Sequence, residues 1–413
     1  MDSFPFLFSN EFVTILEQHP HWPALRQVHD ILHAKGYRAL LAGGAVRDLL
    51  LNRLPQDLDL ATDATPDQVE ALFEKTIMVG RSFGVVRVII EGVDIEVATF
   101  RKDGPYQDGR RPDSVQFSSE KEDALRRDFT INALFYDISQ KTVLDYVDGK
   151  RDIHNQVIRT VGAPELRFKE DKLRILRALR FHAQLGFSLC PETQKVIPTF
   201  ANQLTQVSQE RLRDEWQKLL IAPFSKKGVQ LSYDLSLWPV LFPDFPYHKD
   251  RYEKFLDPEF CNNSDRAWAV WINLQDSKSE TQVREMCHHW RLSGDSTDKV
   301  AASYKALQAN LDLSHGEPVD WALSLSQKYN FFALEIFEHL KKGELGLDYQ
   351  NAKARALKYF DQGQLPPPLV SGEDLIQMGH KPGASFKKIL EKCYREQLLK
   401  GLKDKKQVLS LIK

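Results

Sequence analysis

The sequence predicts an α+β protein: a small mixed β-sheet with helices in its N-terminal part, then an all-helical remainder. Two observations carry this. Short runs rich in apolar and β-branched residues, bounded by Gly, Pro and Asn, are concentrated within residues 1–150. Beyond Arg151 the apolar residues recur at the helical period instead. A chain of 413 residues, 42% apolar and 27% charged, has the size and composition of several globular domains.

In chain order, Leu25, Val28, Ile31 and Leu32 mark an amphipathic helix over residues 22–35, packed under a buried strand Ala39–Leu40–Leu41–Ala42. Gly43–Gly44 ends that apolar run, and Ala45–Leu51 forms a short helix. Asn52–Arg53–Leu54–Pro55 then turns the chain into a second strand holding Asp57–Leu58–Asp59. Thr65 caps a helix with Pro66 in its first turn. Val85–Ile90 and Val93–Phe100 form a hairpin that turns at Glu91–Gly92. Residues 101–122 lose the apolar pattern, are rich in Gly and Pro, and predict a mobile loop. In the helical part, Leu173, Leu176, Leu179 and Ala183 form one buried face of a helix that runs through the stretch Leu166–Phe181 and beyond it, with Glu170, Arg174 and Arg177 on another face and Asp171 at its edge. Ser208 caps the next helix. Trp238, Trp268, Trp271, Trp290 and Trp321 belong to the core, and Pro366–Pro368 stiffens a connector.

The chemistry concentrates at the first two strands. Side chains i and i+2 of a strand share a face, so Asp57 and Asp59 point at one place. Two adjacent carboxylates repel unless a cation lies between them, and Mg²⁺ is the usual oxygen-bound answer. Gly43 and Gly44 have no side chain to obstruct a phosphate. On the hairpin, Asp94 and Glu96 share the face opposite Ile95 and Val97, and either is a candidate third acid. Arg126 and Arg127 offer forked donors to phosphate, and Asp128 or Asn132 a partner for ribose hydroxyls. An Asp–Arg pair presents an acceptor beside a donor, which matches the Watson–Crick edges of adenine and cytosine and mismatches those of guanine and uracil. A solvated, salt-bridged helix face explains the same residues without a ligand.

Strand, Gly–Gly, helix, strand, Asp-x-Asp in that order resembles the nucleotidyltransferase superfamily, and the motifs from Leu40 to Glu215 resemble the class II tRNA nucleotidyltransferase and poly(A) polymerase family. The resemblance implies a nucleotidyltransferase head (1–150), a helical neck with the nucleotide-selecting motif (151–225), a helical body (226–345) and a helical, tRNA-binding tail (346–413), in a seahorse-like arrangement. It implies that Gly43, Gly44 and Arg47 meet the triphosphate, that Asp57 and Asp59 hold two Mg²⁺ ions, and that Glu96 rather than Asp94 is the third acid. Arg126, Arg127, Asp128 and Asn132 then match the ribose and phosphate motif. Glu170, Asp171 and Arg174, with Arg177 nearby, match an amino-acid template for the base; Lys172 replaces the proline commonly seen there. Glu210, Arg211 and Arg213 match the motif that steadies the template helix. The implied activity is addition of CCA to the 3′ end of tRNA from CTP and ATP.

Within this resemblance, Gly80–Arg81–Ser82–Phe83–Gly84–Val85–Val86 is closer to the CCA-adding pattern than to that of poly(A) polymerases, and the complete Asp108–Gly109–Arg110–Arg111–Pro112–Asp113 loop points the same way, against addition of A alone or poly(A) synthesis. The expected rivals of another class are a non-catalytic tRNA-binding protein and transfer to a small molecule. Net charge is −1, so RNA contact requires a local basic surface, and Lys387, Lys388, Lys392 and Arg395 supply the best candidate. No apolar run approaches a membrane span, no signal peptide is evident, and Cys190, Cys261, Cys287 and Cys393 lack metal-ligand spacing; a cytoplasmic location is expected.

Overall fold

The computed structural model describes residues 10–80, 84–104, 114–277, 279–309 and 317–412. The chain forms two compact units, Met1–Tyr247 and His248–Lys413.

The first unit is built on a seven-stranded mixed sheet. Its strands come from β1 (Ala39–Ala42), β2 (Leu60–Thr62), β3 (Thr76–Gly80), β4 (Val85–Ile90), β5 (Val93–Thr99), β8 (Leu134–Asp137) and β9 (Thr142–Asp145), while β6 (Arg101–Asp103) and β7 (Val115–Phe117) form a separate hairpin. The sheet order is β3-β4-β5-β2-β1-β8-β9, and among its pairs only β2 and β5 run parallel. All four residues of β1 are buried, because the strand lies mid-sheet with helix Trp22–Ala34 packed through Leu25, Val28 and Leu32. Thr65 caps helix Pro66–Leu72 in a reciprocal capping box with Gln68, as its sequence predicts.

Four expectations need correction. Asp57–Asp59 is an extended approach to β2 rather than part of it, although the Asp59 carbonyl still accepts from the Ala42 N–H at 3.0 Å. The region 101–122 is not wholly loop: the β6–β7 hairpin and helix Glu120–Arg126 occupy both ends, and residues 105–113 lie outside the described residues, as do 81–83. Strand pairing also continues past Arg151, where β10 (Val157–Ile158) and β11 (Ser188–Leu189) pair in parallel. Finally, the stretch expected as one helix is two, Pro164–Glu170 and Leu173–Leu185. Asp171 breaks it in an extended conformation (φ −144°, ψ 107°), and its carboxylate accepts the Leu173 N–H at 3.0 Å, an Asx-type bond that competes with helix continuation. Lys172 follows at φ −61°, the value a proline imposes.

Residues 226–247 pack within the first unit, where Trp216 meets Trp238 and Phe242 at ring centroid distances of 6.3 and 5.0 Å. Ser208 stands at the start of helix Gln209–Leu220, but its hydroxyl does not cap it. In the second unit Trp268, Trp271 and Trp290 are fully buried against one another, whereas Trp321 is only partly buried. Ser371 and Asp374 form a capping box at helix Gly372–Gln377, ahead of the long helix Ala384–Lys400.

Candidate active site

The sheet and helix Leu173–Leu185 enclose a cleft of about 720 Å³, within the range of small-molecule sites. Its floor is acidic. Asp57 and Asp59 are exposed into it and Leu58 between them is buried, the alternation expected of an extended segment. The parallel pairing of Leu60 with Val97 sets Asp59 level with Glu96 on the neighbouring strand. Burial by the cleft walls, then the charges of Glu96 and Asp57, push the Asp59 carboxyl up to about 6, with Arg127 pulling the other way. Glu96 is also raised, by burial against the pull of Arg87 and with the help of Asp57. Asp94 is ion-paired with Arg87 and does not line the cleft, which separates the two candidate acids.

Opposite the acids stands a wall of arginines. Gly43 turns the chain at φ +68°, and a Cβ there would lie 2.8 Å from Arg127 Nη1. The Gly43 N–H donates to the Leu134 carbonyl at 2.9 Å, so that N–H is engaged within the fold and not open to a phosphate. Arg47 is 9% exposed and donates to Asn132 Oδ1 at 2.6 Å. Arg126 and Arg127 both grip Asp123, at 2.6 and 3.0 Å. Burial opposes ionisation of Asp123, but Arg127 and Arg126 outweigh it and hold the carboxyl below its ordinary range.

Asp128 links this wall to helix Leu173–Leu185. It accepts from Asn132 Nδ2 at 3.2 Å and pairs with Arg177 at 2.5 Å. Burial raises the Asp128 carboxyl, yet Arg177 prevails and pushes it down to about 2. The break at Asp171 decides the rest of the rim. Asp171, Arg174 and Arg177 line the cleft; Glu170 does not, because it ends the preceding helix and pairs with Arg174 at 2.5 Å and Arg167 at 3.0 Å. Asp171 pairs with Arg211 at 2.7 Å rather than with Arg174. Of the three residues expected to steady this helix, Arg211 reaches the cleft, while Glu210 is exposed and Arg213 pairs with Asp214 at 2.7 Å.

Three family models match the chain in succession: "Poly A polymerase head domain" over residues 39–159, "Probable RNA and SrmB-binding site of polymerase A" over 186–248, and "tRNA nucleotidyltransferase domain 2" over 260–412. The CCA-adding enzyme of Geobacillus thermodenitrificans is 49% identical over 375 residues, 88% of this chain and 89% of the relative. That of Bacillus subtilis is 38% identical over 374 residues, with the same shares covered. The chain belongs to the CCA-adding enzyme family. The crystal structure of the Bacillus stearothermophilus CCA-adding enzyme in complex with CTP superposes with a TM-score of 0.79 at 31% identity, over 94% of this chain and 95% of that one. This family member is therefore a tRNA nucleotidyltransferase, built on an N-terminal sheet and a largely helical remainder.

Within this nucleotidyltransferase, one cleft residue and its buried partner escape a sequence reading. Arg180 lines the cleft, and Glu215, 6% exposed, holds Arg180 at 2.5 Å and Arg177 at 3.5 Å. Their one visible signal is spacing: Arg174, Arg177 and Arg180 recur every third residue, which demands a buried anion somewhere. In the tail, Lys387, Lys388 and Lys392 are exposed, but Arg395 forms a bidentate pair with Asp320 at 2.6 and 2.9 Å and is engaged within its own unit. Among the described residues no helix is long and apolar enough to cross a membrane.

Proposed function

We propose that this chain adds C, C and A to the 3′ end of tRNA, using CTP and ATP and releasing pyrophosphate, with two Mg²⁺ ions as cofactors. The observation that carries this reading is the cleft itself, in which Asp57, Asp59 and Glu96 face a wall of arginines. Asp57 and Asp59 suit Mg²⁺ because they are neighbouring oxygen donors, and burial first, then the charges of Glu96 and Asp57, raise the Asp59 carboxyl to about 6. Among the described residues no group of three His, Cys, Asp or Glu side chains is placed to hold a metal ion by itself, so Mg²⁺ here would be held by one or two carboxylates together with substrate phosphates. Bound there, Mg²⁺ supplies charge neutralisation and activation of the RNA 3′-hydroxyl.

The chain's own residues do the positioning. Arg47, Arg126 and Arg127 hold the triphosphate, beside a glycine turn that leaves room for it. Asp128 and Asn132 meet the ribose. Asp171 offers an acceptor and Arg174 a donor to the base edge, with Arg211 holding Asp171 and Glu170 holding Arg174. Rejecting guanine or uracil by an unpaired buried group is worth about 1–3 kcal/mol per bond. Lys387, Lys388 and Lys392 contact the RNA backbone. The four cysteines are buried and none is in a disulfide bond, which suits action in the cytoplasm.

Purified protein incubated with tRNA lacking its last three nucleotides tests the reading. Two additions from CTP alone, then one from ATP, are expected. Absence of CTP incorporation with retained ATP incorporation assigns the chain instead to A addition or poly(A) synthesis.

A further inference from the structure

We propose that Arg53 binds the leaving end of the nucleotide: its guanidinium holds the β- and γ-phosphates of bound CTP or ATP and stays on them as pyrophosphate departs. The inference rests on the reading of this chain as a pyrophosphate-releasing nucleotidyltransferase, and adds to it a residue and a place.

A second cavity, of about 390 Å³, adjoins the main cleft. The two share Asp57, Asp59, Arg47 and Arg180 as lining. Arg53 and Gln184 line only the second cavity, whereas Glu96, Asp171 and Arg174 line only the first. The cavities therefore meet at the acid pair, with the base-reading residues on one side and Arg53 on the other. A nucleoside triphosphate with its base at Asp171 and Arg174 and its α-phosphate at the acids carries its β- and γ-phosphates past Arg47 toward the second cavity. In-line transfer asks for the same order. The RNA 3′-oxygen bonds to the α-phosphorus, and the bond from that phosphorus to the α–β bridging oxygen breaks. Its electron pair leaves on pyrophosphate, and the hydroxyl proton passes to solvent. Negative charge thus grows on the Arg53 side of the acids, where a fixed donor is worth most.

Three arginines line the second cavity, and one of them differs from the rest. Arg47 pairs with Asp48 at 2.8 Å, and Arg180 with Glu215 at 2.5 Å. The arginines that line only the main cleft have carboxylate partners as well. Arg53 makes no ion pair or side-chain hydrogen bond among the described residues, and it is exposed. Its backbone is nevertheless fixed. The Arg53 N–H donates to the Asp48 carbonyl at 2.8 Å, closing the end of helix Gly44–Leu50. Asn52 turns the chain there at φ +54°, a conformation that asparagine tolerates better than most residues. A guanidinium on a fixed stem, with its forked donors unspent, is suited to an anion that arrives and leaves. Polyphosphate is the anion this reaction brings to the acid pair.

Full-length protein, tRNA lacking only its terminal A, ATP and added inorganic pyrophosphate provide the test. The expected result is an inhibition constant for pyrophosphate about tenfold higher in Arg53→Ala, the scale of one lost charge-assisted hydrogen bond. In the reverse reaction, removal of the terminal A from complete tRNA, the KM for pyrophosphate rises by the same factor. Affinity for tRNA and the melting temperature stay at the parent's values. Arg53→Lys, which keeps the charge without the fork, recovers part of the loss. An unchanged inhibition constant for pyrophosphate in Arg53→Ala overturns the inference. So does a loss confined to tRNA affinity, which assigns Arg53 to an RNA phosphate, and so does a loss that follows the melting temperature and is not recovered by Arg53→Lys. The parent separates the two levels. If it incorporates no nucleotide, or is not inhibited by pyrophosphate, the underlying reading fails and takes the inference with it; if it does both and Arg53→Ala behaves like it, the inference alone fails.

Discussion

Asp128→Asn isolates the charge that ties the arginine wall to helix Leu173–Leu185. The amide keeps the shape of the side chain and an oxygen for the Phe129 N–H, but it removes the anion facing Arg177, whose Nε donates to Asp128 Oδ2 at 2.7 Å. The Asp128 side chain is 10% exposed, so solvent screens the pair only slightly. Its carboxyl moves from an ordinary 3.8 down to about 2. At roughly 1.4 kcal/mol per tenfold change in proton affinity, the ionised form contributes about 2 kcal/mol at neutral pH. The folded-state value is depressed, so this contribution is complete above the unfolded value near 4 and is lost as pH falls toward 2. Urea titrations of parent and variant, read by pulsed hydrogen exchange on peptides from residues 129–145, measure the unit that contains the pair. The variant should be about 2 kcal/mol less stable at pH 7, with the gap roughly halved at pH 3. A gap that is absent at pH 7, or constant across that range, refutes the reasoning.

Other consequences follow from the same geometry. Asp59 carries the opposite sign: with a carboxyl raised from 3.8 to about 6, its ionisation opposes folding of the metal-free protein increasingly as pH rises between those values and fully above about 6, so Asp59→Asn should raise the metal-free melting temperature at pH 8 more than at pH 5 while abolishing nucleotide addition. Gly43→Ala places a Cβ 2.8 Å from Arg127 Nη1 at a positive φ, and should cost about 1–3 kcal/mol of stability and raise the KM for CTP, both measurable on the purified variant. Replacing Lys387 and Lys388 together by Ala should weaken tRNA binding and flatten its salt dependence by roughly one to two in log–log slope. Arg395→Ala should instead lower the melting temperature of the second unit, because it removes the Asp320 pair, and leave that slope nearly unchanged.

The sequence made some of this arrangement visible because a short-range pattern wrote it. Alternation placed Asp57 with Asp59 and Glu96 with Asp94, and local chemistry located the turn at Gly43 and the cap at Thr65. What stayed hidden depends on partners distant in the chain. A helical wheel through Leu166–Phe181 cannot register that Asp171 turns its carboxylate to the Leu173 N–H, which moves Glu170 out of the cleft. Glu215 looks like any helix charge until it is found buried under Arg177 and Arg180. Arg395 shares its helix with exposed lysines, but its partner Asp320 lies 75 residues away. The strands of the β6–β7 hairpin and of β10 and β11, two or three residues each, are too short to carry a period.

Asp57→Ala, assayed for CTP incorporation into tRNA lacking its CCA end alongside direct measurement of tRNA binding, addresses the cleft's role most directly. Loss of incorporation with binding spared is the expected outcome. Incorporation at the parent's rate would mean that the acidic floor is not where the chemistry happens.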